Sequence, residues 1–522
     1  MIKKITRRKL YREWVILAAL SLLVILLRWP SLEQPFDNDS GANAYHARLI
    51  ARGEPLYSTH HPAHQLPGVY YTYALAFTLF GDSVWAVKFL LILWTIAAVC
   101  LLYRLGTLLM SKTAASLAAV FYAVLSSHIW LFGSTAQAEL FANLPRIAAI
   151  LIMLHLTKRN AAAWQFALVG LLSAAAFMFR AVYLSSLAVA GFVLLTELCR
   201  RPKMPGVWRT VITRGLWISL GFTSGLLAVG VYFAALGLLP RLLLVFTLGQ
   251  RYIASEDVVR ATGKYWLFFP FIGLLRNNAV LLVCSLGGLA AALLSGFQSR
   301  RTRKTARIFS IAVWYVLSFI ESNVGCNLFL HYYLLIVPPL SLLAAWFLAW
   351  FYHYLNKHIP TISHALAALL PGALLIAALI VSIEQNFDYY RLYTQYKFGV
   401  GNRRDFALHG WPLIEPQIVP AQELADYIQR HSLPSDYVYY WSDNIQFYYM
   451  ADRRCPIDTI WPLYVAATGP RQRIFTPQTK YIIIGESNQA PYPTWLHPEL
   501  AERGYRLETT IEDQEVYRRP AD

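Results

Sequence analysis

Two carboxylates one residue apart, Asp37 and Asp39, stand directly after the first long apolar run of the chain. They open a stretch that ends at Gly81 and also holds three histidines, His60, His61 and His64, and the run Pro67-Gly68-Val69-Tyr70-Tyr71. A loop needs none of this to stay soluble. Acids, histidines and a tyrosine-rich segment held at a bilayer surface suit a polar substrate with an apolar tail. Each acid also has a plainer reading, as a solvated loop residue or, for Asp39 or Ser40, as the cap of a helix expected to start near Gly41. His61 and His64 have metal-compatible spacing for a helix, but Pro62 opposes that helix and no third ligand of clear spacing follows.

Other charges lie deeper in apolar sequence. Glu139 precedes Arg146 by seven residues, which puts them on one helix face two turns apart. An unpaired guanidinium at that depth is costly and faces a cavity or a partner, so the pair reads either as an internal salt bridge or as substrate contacts. Arg180 is the charge in a long apolar hairpin, at its turn. It either snorkels to headgroups or binds a phosphate, whose oxygens match the guanidinium fork. His331-Tyr332-Tyr333 stands at the mouth of a later span.

The elements that must hold these residues are membrane helices. Of 522 residues, 57% are hydrophobic and 14% charged, and mean hydropathy is +0.42; a soluble chain carries about a quarter charged residues. Apolar runs long enough to cross a bilayer recur through the first 380 positions. The net charge of +17 does not signal nucleic acid: the first 384 residues carry 32 Lys and Arg against 12 acids, the remainder 14 against 17. The excess sits in short inter-span clusters such as Arg7-Arg8-Lys9, Lys158-Arg159, Arg200-Arg201 and Arg300 to Arg307, the positive-inside pattern, with no contiguous basic face. Cysteines at 100, 199, 284, 326 and 455 form no Cys-x-x-Cys pair and read as buried apolar thiols.

The expected fold is a polytopic α-helical membrane domain over 1–384, with about eleven spans and an outer loop 30–82, followed by a small extracytoplasmic α/β domain over 385–522. Spans are expected near Trp14–Trp29, Val84–Leu109, Ala114–Leu131 and onward to Ile362–Ile383, with surface helices over Gly41–Arg52 and Gly68–Phe80. An outer segment, Leu239 to Phe271, carries Arg241, Arg251, Arg260 and Lys264. In the tail, Ala421–His431 reads as a helix, Tyr437–Trp441 and Lys480–Gly485 as strands, and Leu507–Arg518 as a hairpin around Glu512-Asp513-Gln514.

Taken together, the chain resembles the GT-C membrane glycosyltransferases, in the bacterial branch related to protein O-mannosyltransferases and aminoarabinose transferases. The resemblance rests on Asp39-Ser40-Gly41, Tyr45-His46-Ala47, Gly53-Glu54-Pro55-Leu56-Tyr57 and His64-Gln65-Leu66-Pro67-Gly68-Val69-Tyr70, then on His331-Tyr332-Tyr333-Leu334-Leu335 with Pro338-Pro339. Two positions depart from that pattern: Ser40 stands where an acid is usual, and Gln65 where a lysine is. The resemblance implies a polyprenyl-phosphate sugar as donor, and a lipid, glycan or protein as acceptor. It implies inverting displacement with Asp39 as general base, and Asp37, His64, Gln65, Tyr70, Glu139, Arg146, Arg180, His331 and Tyr332 as substrate contacts. No nucleotide or obligatory metal is implied, because the donor is already activated, although a divalent metal is compatible with it. A lipid-linked-glycan flippase would call for inverted repeats or interrupted helices in matched halves, and neither is found. An O-antigen ligase would call for one large late loop, and Leu239 to Phe271 is the modest candidate.

Overall fold

The computed structural model describes residues 2–159, 161–200, 205–253, 269–298, 303–324, 329–358, 364–409, 415–468, 471–487 and 493–520. Arg260, Lys264, Arg300 and Cys326 lie outside the described residues. The chain forms two compact units. One, of Met1–Leu32, Phe89–Tyr232 and Val258–Tyr390, is helical; the other, of Glu33–Lys88, Phe233–Asp257 and Arg391–Asp522, mixes helix and strand. The units do not divide at 384/385: the stretch after the first apolar run groups with the tail, because its helices pack on tail residues.

The described residues include six helices long and apolar enough to cross a membrane: Tyr11–Glu33, Val84–Leu109, Ala138–Thr157, Val207–Ala235, Thr305–Asn323 and Ala368–Lys397. Lys112–Ser126, Ala163–Phe177, Leu239–Gln250 and Asn278–Leu294 are shorter apolar helices. This is a multi-pass membrane protein. The helices used below are α1 (Ile2–Arg28), α2 (Asn38–Ala51), α3 (Gly68–Phe80), α4 (Val84–Leu109), α5 (Lys112–Ser126), α6 (Ala138–Arg159), α7 (Ala167–Phe177), α8 (Ser185–Arg200) and α9 (Val207–Ala235).

Local chemistry explains how several of these helices survive and pack. Pro145 lies inside α6 and has no N–H for the carbonyl of Phe141. The indole of Trp94 donates to that carbonyl instead, at 2.9 Å, as an apolar setting requires. Helices α7 and α9 cross at small residues: a Cβ on Gly170 would fall 1.9 Å from the carbonyl oxygen of Ile218, and one on Gly221 1.9 Å from that of Ala167. Close backbone approach is the usual way membrane helices gain contact without a hydrophobic drive. The helix Phe269–Gln298 breaks at Asn278. Its side chain restores the broken ladder, accepting from Leu281 N at 3.0 Å and donating to Ala378 O at 3.0 Å and Ser382 Oγ at 2.6 Å.

The mixed unit holds α2, α3 and a four-stranded sheet. Its strands are β1 (Tyr437–Trp441), β2 (Thr479–Ile484), β3 (Arg506–Ile511) and β4 (Gln514–Arg518). The order is β1-β2-β4-β3, with β1 parallel to β2 and the other pairs antiparallel. Glu512 and Asp513 both take positive φ (45° and 62°) in the β3–β4 turn, the twist that a two-residue hairpin needs. Helix α3 starts after Pro67 and stops at Gly81, where φ is +88°. Helix α2 begins at Asn38 and not near Gly41, which corrects the expected start. Asp37 occupies the N-cap position, its carbonyl accepting from Gly41 N at 2.8 Å, so Asp39 lies within the first turn and does not cap the helix.

Candidate active site

In the mixed unit the first turn of α2 is held from two sides. Ile445 N donates to Asn38 Oδ1 at 3.0 Å. A Cβ on Gly41 would lie 2.3 Å from Gln446 Cβ, so only glycine lets α2 approach that segment. At the other end of α2, Arg48 donates to Asp82 at 2.5 Å, to the Tyr449 carbonyl at 2.8 Å and to Asp452 at 3.1 Å, and lies 3.9 Å from the centroid of the Tyr449 ring. A helix pinned at both ends presents its carboxylate in a fixed direction, which is what proton transfer requires.

The two acids differ within this frame. Asp37 is buried, and burial pushes its carboxyl above the ordinary range, outweighing the opposing pull of Ser40 and of the Lys88 ammonium. Lys88 is itself buried and donates to the carbonyls of Gln34 and Pro35 at 2.8 and 3.3 Å. Asp39 is half-buried. Its charge and that of Asp37 act on the phenol of Tyr73, which burial already raises far above its usual range.

Asp39 and His46 are seven residues apart on one face of α2. His46 packs edge-on against Tyr70, ring centroids 5.3 Å apart, so this face looks toward α3. Tyr70 donates to Gln65 Oε1 at 2.9 Å, and Tyr57 to the Gln65 carbonyl at 3.0 Å. His64 Nδ1 lies 2.7 Å from the hydroxyl of Tyr464. Burial raises the Tyr70 phenol, and Tyr57, Asp39, Tyr464 and Tyr73 add to the effect. Asp39, Tyr70, Gln65, His64 and Tyr464 therefore form one electrostatic neighbourhood. His60 and His61 turn elsewhere, to the carbonyls of Cys455 (3.0 Å) and Arg241 (2.8 Å), and burial lowers the pKa of both. Among the described residues no three His, Cys, Asp or Glu side chains gather as a metal site.

The other expected residues belong to the helical unit. Arg146 is not paired with Glu139, which corrects the internal bridge expected from their spacing. Its guanidinium reaches Glu321 at 2.7 Å, Ser185 Oγ at 2.8 Å, Ser318 Oγ at 2.9 Å, Asn143 Oδ1 at 2.8 Å and the Leu335 carbonyl at 3.1 Å. Glu321 also accepts from Ser185 N. Distant sequence supplies a carboxylate with room for several donors, and no spacing rule within one helix could have found it. Glu139 instead accepts from Tyr183 at 2.7 Å and lies 3.5 Å from Arg180. Arg180 donates to the Tyr332 hydroxyl at 2.6 Å, and its side chain keeps 21% exposure. His331 stacks edge-on against Tyr332, centroids 4.5 Å apart. Glu139, Arg180, Tyr332 and His331 thus form a second polar cluster, with Arg146 in a separate network that pairs both of its terminal nitrogens and leaves Nε without a partner.

A protein-family model described as dolichyl-phosphate-mannose-protein mannosyltransferase matches residues 60–218. ArnT from Cupriavidus metallidurans, solved bound to undecaprenyl phosphate, aligns over 96% of this chain and 97% of its own, with TM-score 0.60 and 13% identity. The chain shares the fold of ArnT. The archaeal oligosaccharyltransferase AglB from Archaeoglobus fulgidus, in complex with an inhibitory peptide and a dolichol-phosphate, aligns over 91% of this chain and 69% of its own, with TM-score 0.50 and 13% identity. The same enzyme with Zn and sulfate gives 90%, 67%, 0.51 and 13%. No curated protein matches by sequence. At such identity these likenesses speak for the GT-C fold.

Sequence reasoning missed Lys88, Tyr73 and Tyr464. Lys88 had a usable signal, as a lysine within the apolar run of α4, where a charge marks a partner by default. Tyr464 had none, since tyrosines are common in this chain (32) and its partner lies 400 residues away.

Proposed function

We propose that this GT-C protein is a membrane glycosyltransferase that moves a sugar from a polyprenyl-phosphate donor to the hydroxyl of a lipid, glycan or protein acceptor. The reaction takes place at the outer face of the cytoplasmic membrane. The observation that carries this reading is Asp39, a half-buried carboxylate on the clamped first turn of α2, in one neighbourhood with Tyr70, Gln65 and His64. The lipid phosphates bound in the ArnT and AglB structures support the donor class.

In the proposed step the acceptor oxygen attacks the anomeric carbon from the face opposite the phosphate. The hydroxyl proton passes to Asp39, the bond from the anomeric carbon to the phosphate oxygen breaks, and the electron pair leaves with the polyprenyl phosphate. The anomeric centre inverts. Asp37 suits this role less, because it is buried at the N-cap. Arg180, Glu139, His331 and Tyr332 serve the donor phosphate and sugar, and Arg146 holds the helices that carry them. No nucleotide or obligatory metal takes part.

The topology that goes with this reading has about eleven spans, the N-terminus inside, and the stretch after α1 and the sheet-bearing tail outside. Single cysteines at Thr59 and Ser487 in a cysteine-free background should both react with an impermeant thiol reagent once the outer barrier is opened; protection of both would reverse the orientation. The function itself is tested with purified protein and a radiolabelled polyprenyl-phosphate sugar, scored for release of polyprenyl phosphate with candidate acceptors. Turnover by wild type and its loss in Asp39→Asn, with monodisperse elution and an unchanged melt, is the expected result. Normal turnover by Asp39→Asn would move the base to Glu139.

A further inference from the structure

We propose that a cleft between α6, α8 and the helix Arg303–Asn323 binds the headgroup of an anionic phospholipid, with Arg200 and Arg307 on its phosphodiester. The cleft is separate from the glycosyl-transfer centre and does not rest on that reading.

The course of the helices places it. The three pack on one another, and Arg146 of α6, Ser185 of α8 and Glu321 of the third tie them together partway along. The cleft lies at their other end, lined by Thr157 of α6, by Thr196, Glu197 and Arg200 of α8, and by Arg307 and Ser310 of the third helix. Thr157 is about 27 Å along α6 from Glu139, at 1.5 Å per residue, so the cleft is remote from the cluster of Glu139 and Arg180. Thr157 also closes the apolar stretch Ala138–Thr157, and Thr305 opens Thr305–Asn323. The cleft therefore stands where spans give way to polar chain, the level of the lipid headgroups. In the topology proposed above this is the inner face, where basic pockets between spans seat anionic headgroups.

The lining sorts into donors and acceptors. Arg200 and Arg307 are half-buried, and Arg307 donates to the Leu108 carbonyl at 3.4 Å. An anionic phosphate outcompetes a neutral carbonyl for such a group, since charge-assisted bonds are about twice as strong. Glu197 does not cancel the two arginines, because its carboxylate is paired with Arg214 of α9 at 2.6 Å. The hydroxyls of Thr157, Thr196 and Ser310 donate to carbonyls of their own helices, Leu154, Val193 and Ala306, at 3.1, 2.7 and 2.9 Å. Their oxygens remain as acceptors. Guanidiniums beside hydroxyl acceptors match a phosphodiester whose headgroup carries hydroxyls of its own. Leu195, next to Thr196, is 57% exposed on α8 and offers an apolar surface to the acyl chains. One headgroup held by Arg200 and Arg307 would clamp two of the helices that Arg146 already joins.

The test is binding to the full-length protein, stripped of lipid in a neutral detergent and titrated with phosphatidylglycerol by native mass spectrometry. A single retained lipid is expected, held about tenfold less tightly in Arg200→Gln and in Arg307→Gln. Thr196→Leu keeps both arginines but fills the cleft, and should weaken binding to a similar degree. Arg209→Gln removes the same charge from an exposed position near the start of α9 and should leave binding unchanged. Phosphatidylcholine, which has neither net charge nor headgroup hydroxyls, should bind poorly, as should glycerol phosphate, which has no acyl chains. Unchanged binding in the arginine variants, or equal weakening in Arg209→Gln, overturns the proposal. Glycerol phosphate binding as tightly as the lipid would assign the cleft to a soluble phosphate and overturn the lipid source. Variants are compared only where elution stays monodisperse, with Thr196→Leu standing in should an arginine variant fail to fold. Turnover plays no part in the readout, so a failure here and a failure of the glycosyl-transfer reading are told apart.

Discussion

The neighbourhood of Asp39 and the network of Arg146 treat buried charge in opposite ways. Arg146 is enclosed and densely paired: a carboxylate, two hydroxyls, an amide oxygen and a carbonyl share its two terminal nitrogens, and Nε alone is left without a partner. Asp39 is half-buried, and its charge acts on the phenols of Tyr70 and Tyr73. Dense pairing of this kind marks a charge that holds helices together, since breaking such a pair strands its partner in low dielectric. Partial exposure within a rigid frame leaves a charge within reach of a ligand, as the proposed base requires. Arg180 stands between the two, with an aromatic partner, a nearby carboxylate and a fifth of its side chain open.

The sharpest way to break this comparison is at Asp39. Asp39→Asn should lower turnover by about 10²–10⁴-fold, the usual worth of a general base, with no loss of melting temperature, and Asp37→Asn should cost far less turnover. The converse holds for the network of Arg146. Arg146→Met or Glu321→Gln alone should destabilise the protein by about 3–5 kcal/mol, while Arg146→Met with Glu321→Leu recovers much of it; thermal melts in detergent would show whether the pair is structural. Arg180→Ala is intermediate: weaker donor binding by about 1.5–3 kcal/mol, if one charge-assisted hydrogen bond is lost, and an unaltered acceptor affinity. Unchanged donor affinity would make Arg180 a headgroup anchor.

A further effect, spread over several groups, concerns pH. Burial lowers the pKa of His46, His60 and His61, so the unfolded chain binds protons that the folded chain refuses. Stability is therefore full above about pH 6.5 and falls as pH drops below it, by at most about 1.4 kcal/mol per histidine for each unit. Melts between pH 7.5 and 5.5 should show the decline, and His60→Gln, which keeps a donor for the Cys455 carbonyl, should flatten it.

Elements bounded by strong local punctuation were legible in the sequence. Pro67 and Gly81 bracket α3, the apolar run from Val84 to Leu109 is α4, and Tyr437–Trp441 is β1, each to the residue. Helix α2 was misread at its start because Gly41 looked like a boundary, whereas its lack of a side chain serves a contact with Gln446. At the site, Asp39, His64 and Tyr70 stood out by type within one stretch, and Gln65 only through the resemblance, as a departure from its pattern. Glu321 as the partner of Arg146, and Tyr464 beside His64, are matters of tertiary packing across 175 and 400 residues, which no local pattern encodes.

That same contact has a consequence for how the protein is made. The turn bearing Asp39 is completed by Ile445, 407 residues downstream of Asn38. At translation rates of about 5–20 residues per second, the start of α2 waits roughly 20–80 s after its own synthesis for its clamp. During that interval most of the spans are made while the turn bearing Asp39 is still unclamped. A chain that stalls before Ile445 would carry every residue of the Asp37–Gly81 stretch and still lack the clamp.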